Sequence, residues 1–212
     1  MNFEIVWGQE TPEFWLYVVW TVWGLVWIAM SFWTARAAKS PGAGPQALYM
    51  VVTALGFLLL FGSFEGRPLL FGRVWRWAVE QGVPVRLWVT DEALGWAMVG
   101  LAVLGFAFAL WARVHHGKLW SGVVGAKAEH RVVDDGPYGV VRHPIYTGLI
   151  AGSAAMALEK GNAPALVGLL LIVSGFHIKA RLEERFLREA LGAEAYDAYS
   201  RRVPMLLPFG PK

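Results

Sequence analysis

Apolar residues run along this chain in long uninterrupted stretches instead of alternating with polar ones. Phe14–Ala35, Ala47–Phe64 and Ala93–Ala112 each carry no charged residue. Stretches of this kind match the roughly 20 residues an α-helix needs to cross a bilayer core of about 30 Å. A helix that is apolar all round must be buried in protein or lipid, and no amphipathic partner helices exist here to cover three of them in water. The second half reads differently. Tyr146–Leu158 and Pro164–Ile178 are shorter apolar runs, separated by Glu159, Lys160, Gly161 and Asn162. They predict a tight helical hairpin that enters and leaves the membrane on one side, with tilt or local thinning offsetting the short arms. After Ile178 the chain predicts a charged amphipathic helix with Leu182, Phe186 and Leu187 on one stripe, ending at Gly192. A short helix through Tyr196 and Tyr199 then meets Pro204.

The fold class expected is therefore all-α: a polytopic membrane protein of about five transmembrane helices with a C-terminal helical region outside the bilayer. Basic residues orient it. The N-terminal tail has Glu4, Glu10 and Glu13 and no basic residue, whereas Arg36 and Lys39, the segment from Arg113 to Arg142, and the tail from Lys179 to Arg202 are basic. This places the N-terminus outside, the C-terminus inside, and the protein in the inner or plasma membrane with its polar segments facing the cytoplasm. Four arginines between Arg67 and Arg86 break the rule. There Phe71, Val74, Trp75, Ala78 and Val79 fall at helical spacing, with Arg73, Arg76 and Glu80 off that face, which predicts an amphipathic helix lying in the interface. One domain is expected over 1–212: three spans and the interfacial helix in 1–113, the remaining loop, hairpin and C-terminal helices in 114–212.

Composition narrows the chemistry. Hydrophobic residues make up 56% of the 212, with twelve Trp and twelve Phe and a mean hydropathy of +0.44. Such rings favour the membrane–water boundary. A net charge of +3 gives no broad nucleic-acid footprint. The absence of Cys excludes disulfides, thiolate nucleophiles and Cys-ligated metals, and prenylation of the chain itself. The acidic, polar first residues show no basic n-region of a cleaved signal.

The three long spans carry no ionisable side chain, whereas pumps and ion channels place charges inside the membrane. Polar groups crowd instead into Gly117–Tyr146 and Lys179–Tyr199, and the hairpin joins these two segments, so both return to the inner face and can build one pocket. There is no HExxH, no G-x-S-x-G elbow, and no G-x-G-x-x-G or Walker loop, so zinc, acyl-serine and Rossmann or P-loop chemistry lack their motifs. His115 and His116 are neighbours on a helix end, point apart and are read as solvated. His177 is read as interfacial packing.

Asp135–Gly148 reads DGPYGVVRHPIYTG and resembles the RHPxYxG signature of the membrane isoprenylcysteine carboxyl methyltransferases. Upstream, His130-Arg-Val-Val133 resembles that family's H-x-L-V step, with Val132 in place of Leu. Downstream, Glu183 and Glu184, then Tyr196, Tyr199, Val203 and Pro204, resemble its double-Glu helix and closing segment. The resemblance covers the C-terminal half; the first three spans match only as apolar helices. It implies S-adenosylmethionine as cofactor, with S-adenosylhomocysteine as product. It also implies a lipophilic acceptor reached from the bilayer, with neither metal nor nucleic acid as partner. The matching cofactor positions are His130, Arg131, Val132, Val133, Tyr138, His143, Pro144, Ile145, Tyr146 and Glu183. Arg142, Lys179 and Glu184 are the candidate catalytic residues.

These residue types suit the task. Imidazoles donate, Glu183 accepts, and the rings of Tyr138 and Tyr146 offer faces to a sulfonium cation. Pro144 holds His143 out of the helical region, and Gly148 allows close helix approach. The family usually has Arg four residues before the first Glu, to hold a substrate carboxylate; here that position is Lys179, which keeps the charge without the bidentate fork. Arg181 lies about 200° further round a helix and is no simple replacement. A thiol or phospholipid amine acceptor therefore stands beside the carboxylate of an S-prenylcysteine-like substrate. Two rivals remain: an NADPH-dependent sterol-type membrane reductase, similar over the same half, and a lipid-binding scaffold without enzymatic activity.

Overall fold

The computed structural model describes residues 11–33, 43–64, 67–68, 73, 76–77, 80–82, 86–117 and 133–210. Its helices are α1 (Pro12–Ser31), α2 (Ala43–Leu60), α3 (Glu92–His116), α4 (Pro144–Lys160), α5 (Ala163–Leu191) and α6 (Ala193–Arg202). A two-residue hairpin pairs Ser63–Phe64 with Arg67–Pro68, and a 3₁₀ turn spans Gly136–Gly139. Helix starts follow local chemistry. Thr11, Asp91 and Asn162 cap α1, α3 and α5 by accepting from the backbone N–H three residues on, which satisfies an otherwise orphaned donor. Pro sits in the first turn of α1, α4 and α5, where its missing N–H costs nothing.

The architecture is an all-helical membrane bundle. By length and composition three helices can cross a bilayer: Pro12–Ser31, Glu92–His116 and Ala163–Glu189. The other two expected spans are shorter, with α4 covering 17 residues and the apolar part of α2 running Gln46–Leu60. Two features differ from the sequence reading. The second apolar run stops being helical at Leu60, and Phe64 joins the hairpin instead. The fifth span and the charged helix after it are one continuous helix of 29 residues. Nothing interrupts it, since Lys179, Ala180, Arg181, Leu182, Glu183 and Glu184 are all good helix formers. At 1.5 Å per residue it is about 44 Å long, well beyond an apolar core of about 30 Å.

Close helix crossings hold the bundle together. On α3 and α4, a Cβ built on Gly105 would meet the Gly148 carbonyl oxygen at 2.8 Å, and one on Gly148 would overlap the Gly105 carbonyl. On α2 and α5, Gly56 and Gly168 face each other in the same way, at 2.8 and 2.6 Å. Without a hydrophobic drive between helices in lipid, such backbone approach is how they associate. Around the crossings Trp20, Trp23, Phe57 and Phe106 interlock edge-on and stacked, with centroids 4.7–5.6 Å apart, over a core of Leu16, Met156 and Ile172.

The two ends of the bundle are chemically distinct. At one end the hairpin tip is buried in a polar cluster. Arg86 pairs with Glu13 at 2.7 Å, Thr90 donates to Glu159 at 2.6 Å, and the Lys160 ammonium donates to the Leu60 carbonyl at 2.6 Å. The sequence reading took Glu159–Asn162 as a simple connection. Its charges are instead enclosed where α1, α2, α3 and α4 converge, and Lys160 is 1% exposed. At the opposite end Arg113, fully buried, donates to the Met30 and Trp33 carbonyls at the end of α1. Of the expected interfacial segment, Arg73, Arg76, Trp77 and Glu80 are helical and exposed. Its apolar positions Phe71, Val74, Trp75, Ala78 and Val79 lie outside the described residues, as do Arg36 and Lys39.

Candidate functional site

The loop entering α4 and the middle of α5 meet at the Arg113 end of the bundle. His143 caps α4 at φ −125°, ψ 65°, a non-helical backbone of the kind Pro144 imposes on its predecessor. This geometry turns the imidazole toward α5, where Nε2 lies 3.2 Å from Glu184 Oε1 and Nδ1 lies 3.5 Å from Glu183 Oε2. Burial by itself pushes the imidazole pKa down. Hydrogen bonds and charge from both glutamates outweigh it, and His143 ends above its ordinary value. Both ring nitrogens thus face carboxylates, the arrangement an imidazolium satisfies and a neutral ring does not.

One turn along α4, the Tyr146 hydroxyl donates to both Glu183 oxygens at 2.7 and 2.8 Å. Its ring lies parallel to His143 on one side (centroids 5.3 Å, 5°) and to Phe176 of α5 on the other (5.0 Å, 14°). The Lys179 ammonium sits 5.1 Å from the Tyr146 ring and 5.4 Å from the ring of Tyr49 on α2. Two carboxylates thus share the site with His143, Arg142 and Lys179, so acceptor and donor groups stand side by side there.

Arg142 is bonded within the protein itself. Its Nε pairs with Glu184 at 2.7 Å, and its Nη1 donates to the Ser200 and Val203 carbonyls. The side chain is 7% exposed, so these donors face the protein. The backbone continues the theme. The Arg142 and His143 amides donate to the Pro204 and Met205 carbonyls at 2.8 and 3.1 Å, and the Thr147 hydroxyl donates to the Leu206 carbonyl at 2.6 Å. Residues 203–206 therefore form a strap across the motif loop. The Tyr199 hydroxyl reinforces it by donating to the Tyr138 carbonyl at 2.8 Å.

Tyr138 sits on the 3₁₀ turn before the motif loop. It is buried against His116 with ring centroids 5.1 Å apart, and burial raises its phenol pKa. His115 contacts the same loop, 2.9 Å from Asp135 Oδ1. The adjacent histidines, expected to be solvated and apart, thus both engage the 135–138 turn, because the turn folds back over the end of α3. Pro144 and Ile145 are buried in the core and Val133 packs against it. His177 is exposed, and Arg181 is exposed on the far side of α5 from Lys179. His130, Arg131 and Val132 lie outside the described residues.

Tyr49 is the residue sequence reasoning missed. It is 4% exposed, and among the described residues its hydroxyl has no hydrogen-bond partner. In an apolar run, a tyrosine near a helix start reads as a belt aromatic, and only the fold brings it beside Lys179.

The part of the chain that carries this geometry is similar to known proteins. The profile of the isoprenylcysteine carboxyl methyltransferase (ICMT) family matches residues 98–189. Over that stretch the chain is similar to the ICMT family. That stretch holds α4, most of α5 and every residue of the His143–Glu183 centre except Tyr49. Among similar proteins, methanethiol S-methyltransferase 2 of Bradyrhizobium diazoefficiens is 30% identical over 79% of this chain and 61% of its own length. Protein-S-isoprenylcysteine O-methyltransferase of Schizosaccharomyces pombe is 30% identical over 53% and 49% respectively. An Arabidopsis thaliana protein-S-isoprenylcysteine O-methyltransferase, form B, is 25% identical over 60% and 64%. The chain thus spans about half to two thirds of the length of these relatives.

Proposed function

We propose that this protein is an S-adenosylmethionine-dependent methyltransferase of the membrane, acting on a lipophilic acceptor that carries a carboxylate or thiolate. One observation carries the reading. The motif loop and the twin-glutamate stretch of α5, some 40 residues apart in sequence, converge on a single aromatic and charged cluster at one end of an apolar bundle. That cluster fits the cofactor's needs. Tyr146 and His143 offer ring faces to a sulfonium, Glu183 offers acceptor oxygens to ammonium or ribose, and the unpartnered Tyr49 hydroxyl is a buried polar group in want of a ligand.

When bound, S-adenosylmethionine supplies a methyl group on sulfur that an incoming lone pair can take, the C–S⁺ electrons staying with the sulfur as the thioether product. The protein's own work is alignment and charge. Lys179, held between two rings, is the cationic group placed to meet an anionic acceptor. Such an acceptor arrives already ionised and needs no strong general base. Orientation then supplies much of the rate. Arg142 and Glu184 are positioning residues that hold the motif loop on its strap. An apolar acceptor tail enters from the bilayer between helices, and the cofactor from the cytoplasm.

The first acceptor we assign is the carboxylate of an S-prenylcysteine-like molecule. A small thiol is the second reading, favoured by the methanethiol S-methyltransferase relative, whose match extends over 79% of this chain against 53% for the yeast isoprenylcysteine enzyme. A labelled-methyl assay with purified protein tests both, offering S-prenylcysteine, thiol and phosphatidylethanolamine acceptors. Label on the prenylcysteine carboxylate is expected. Label confined to phosphatidylethanolamine overturns the acceptor assignment. Saturable NADPH binding without S-adenosylmethionine binding overturns the reaction class in favour of a reductase.

A further inference from the structure

The face of α5 turned away from Lys179 carries its own feature. Arg181, Arg185 and Arg188 repeat at i, i+4 and i+7, forming one stripe. The stripe faces α6, and between the two helices lies a groove of about 440 Å³ lined by Arg181, Arg185, Arg188, Arg201, Glu184 and Asp197, with Arg142 at its base. That volume is in the range that holds a small ligand. Its charges do not cancel. Arg142 is taken up by Glu184, and Arg188 is clamped by Asp197 through two bonds at 2.7 and 2.8 Å. Among the described residues Arg181, Arg185 and Arg201 have no carboxylate partner, and all three are exposed, which leaves the groove lining with an excess of three positive charges.

Position along α5 says what such a groove meets. The apolar part of the helix ends at Ile178, so Arg181 lies about 4.5 Å and Arg185 about 10 Å beyond it. Lipid headgroups extend about 5–8 Å past the hydrocarbon on each side, so Arg181 lies at their depth and Arg185 just beyond it. Guanidinium forks match phosphate oxygens in shape and charge. Arginine clusters immediately outside a membrane helix attract anionic lipids.

We propose that the groove between α5 and α6 is a binding site for a phosphate group, and that its occupant is the headgroup of an anionic membrane phospholipid. The site is separate from the His143–Glu183 centre. The two share only the Arg142–Glu184 pair, which forms the wall between them. The proposal stands independently of the methyl-transfer reading, since it concerns the opposite face of the helix.

The test uses full-length protein in nanodiscs of phosphatidylcholine containing increasing phosphatidylglycerol, with bound lipid counted by native mass spectrometry after gentle release. A parallel arm titrates inorganic phosphate against protein in pure phosphatidylcholine. The expected result is retention of phosphatidylglycerol over phosphatidylcholine, weakened roughly fivefold for each of Arg181→Gln, Arg185→Gln and Arg201→Gln. These substitutions are on exposed positions, so the fold survives them. Arg73→Gln with Arg76→Gln, exposed arginines outside the groove, should leave retention unchanged. Saturable binding of inorganic phosphate that the groove substitutions abolish, without lipid selectivity, keeps the phosphate site and overturns the lipid as its occupant. Retention of phosphatidylglycerol that is unaffected by the groove triple substitution, or equally reduced by the control, overturns the proposal.

Discussion

Tyr146 and Glu183 meet across the helical hairpin, the phenol donating to both oxygens of one carboxylate although 37 residues separate the two in sequence. The bond fixes the register of α4 against α5 where the stacked rings of His143, Tyr146 and Phe176 form a continuous face. Tyr146→Phe keeps the ring and deletes the donor. A hydrogen bond to a charged group contributes about 1.5–3 kcal/mol, so the variant should lose stability of that order. Its affinity for S-adenosylmethionine should fall about tenfold or more, read by calorimetry in detergent. Unchanged affinity would remove Tyr146 from the cofactor site.

Tyr49 should behave in the opposite way. Its buried hydroxyl has no partner, so Tyr49→Phe relieves a desolvation penalty of about 1–3 kcal/mol. The variant is expected to melt at or above the parent temperature while kcat/KM for methyl transfer falls. A gain in stability with full activity would show that this hydroxyl touches neither cofactor nor acceptor.

His143 links the site to pH. Its folded-state pKa is raised by Glu183 and Glu184 against the lowering effect of burial, relative to about 6.5 in an unfolded chain. A raised value means the folded state binds the proton more tightly. The stabilisation is therefore complete below about pH 6.5 and is lost as pH rises through the folded-state pKa. Melting temperature measured from pH 5.5 to 9 should decline on that limb. His143→Gln should flatten the decline, and an identical slope in the variant would assign it to another group.

Two glycines of the same type should respond very differently. Gly148→Val pushes a side chain into the Gly105 carbonyl. Overpacking of this kind typically costs about 1–3 kcal/mol, and backbone is the least yielding of obstacles. Gly24 has nothing within 4 Å of a built Cβ, so Gly24→Ala should be neutral or stabilising by up to about 1 kcal/mol. Comparable losses for both would mean that helix propensity, not the α3–α4 crossing, sets the sensitivity.

Much of this was readable from sequence, for identifiable reasons. Charge-free runs marked α1, α2 and α3 because lipid tolerates little else, and the order His-Pro at 143–144 marked the start of α4. Gly192 marked the end of α5. The rest depends on partners that leave no trace in sequence. Arg142 reads as a free cation because its acceptors are the carbonyls of Ser200 and Val203, and every residue has a carbonyl. Glu159 and Lys160 read only as the tip of a tight hairpin, whereas three other helix ends enclose them. The continuity of α5 past Ile178 was hidden because hydropathy changes there while helix propensity does not.

The strap of residues 203–206 sets an order of assembly. It supplies the carbonyls on which the Arg142 and His143 amides hang, and it follows helices α1 to α5. The helices can therefore insert and pack before the motif loop has its final shape, so the bundle is built first and the binding centre is completed last. A nascent chain halted at Arg202 should accordingly be embedded yet incapable of cofactor capture, a checkpoint that arises from chain order alone.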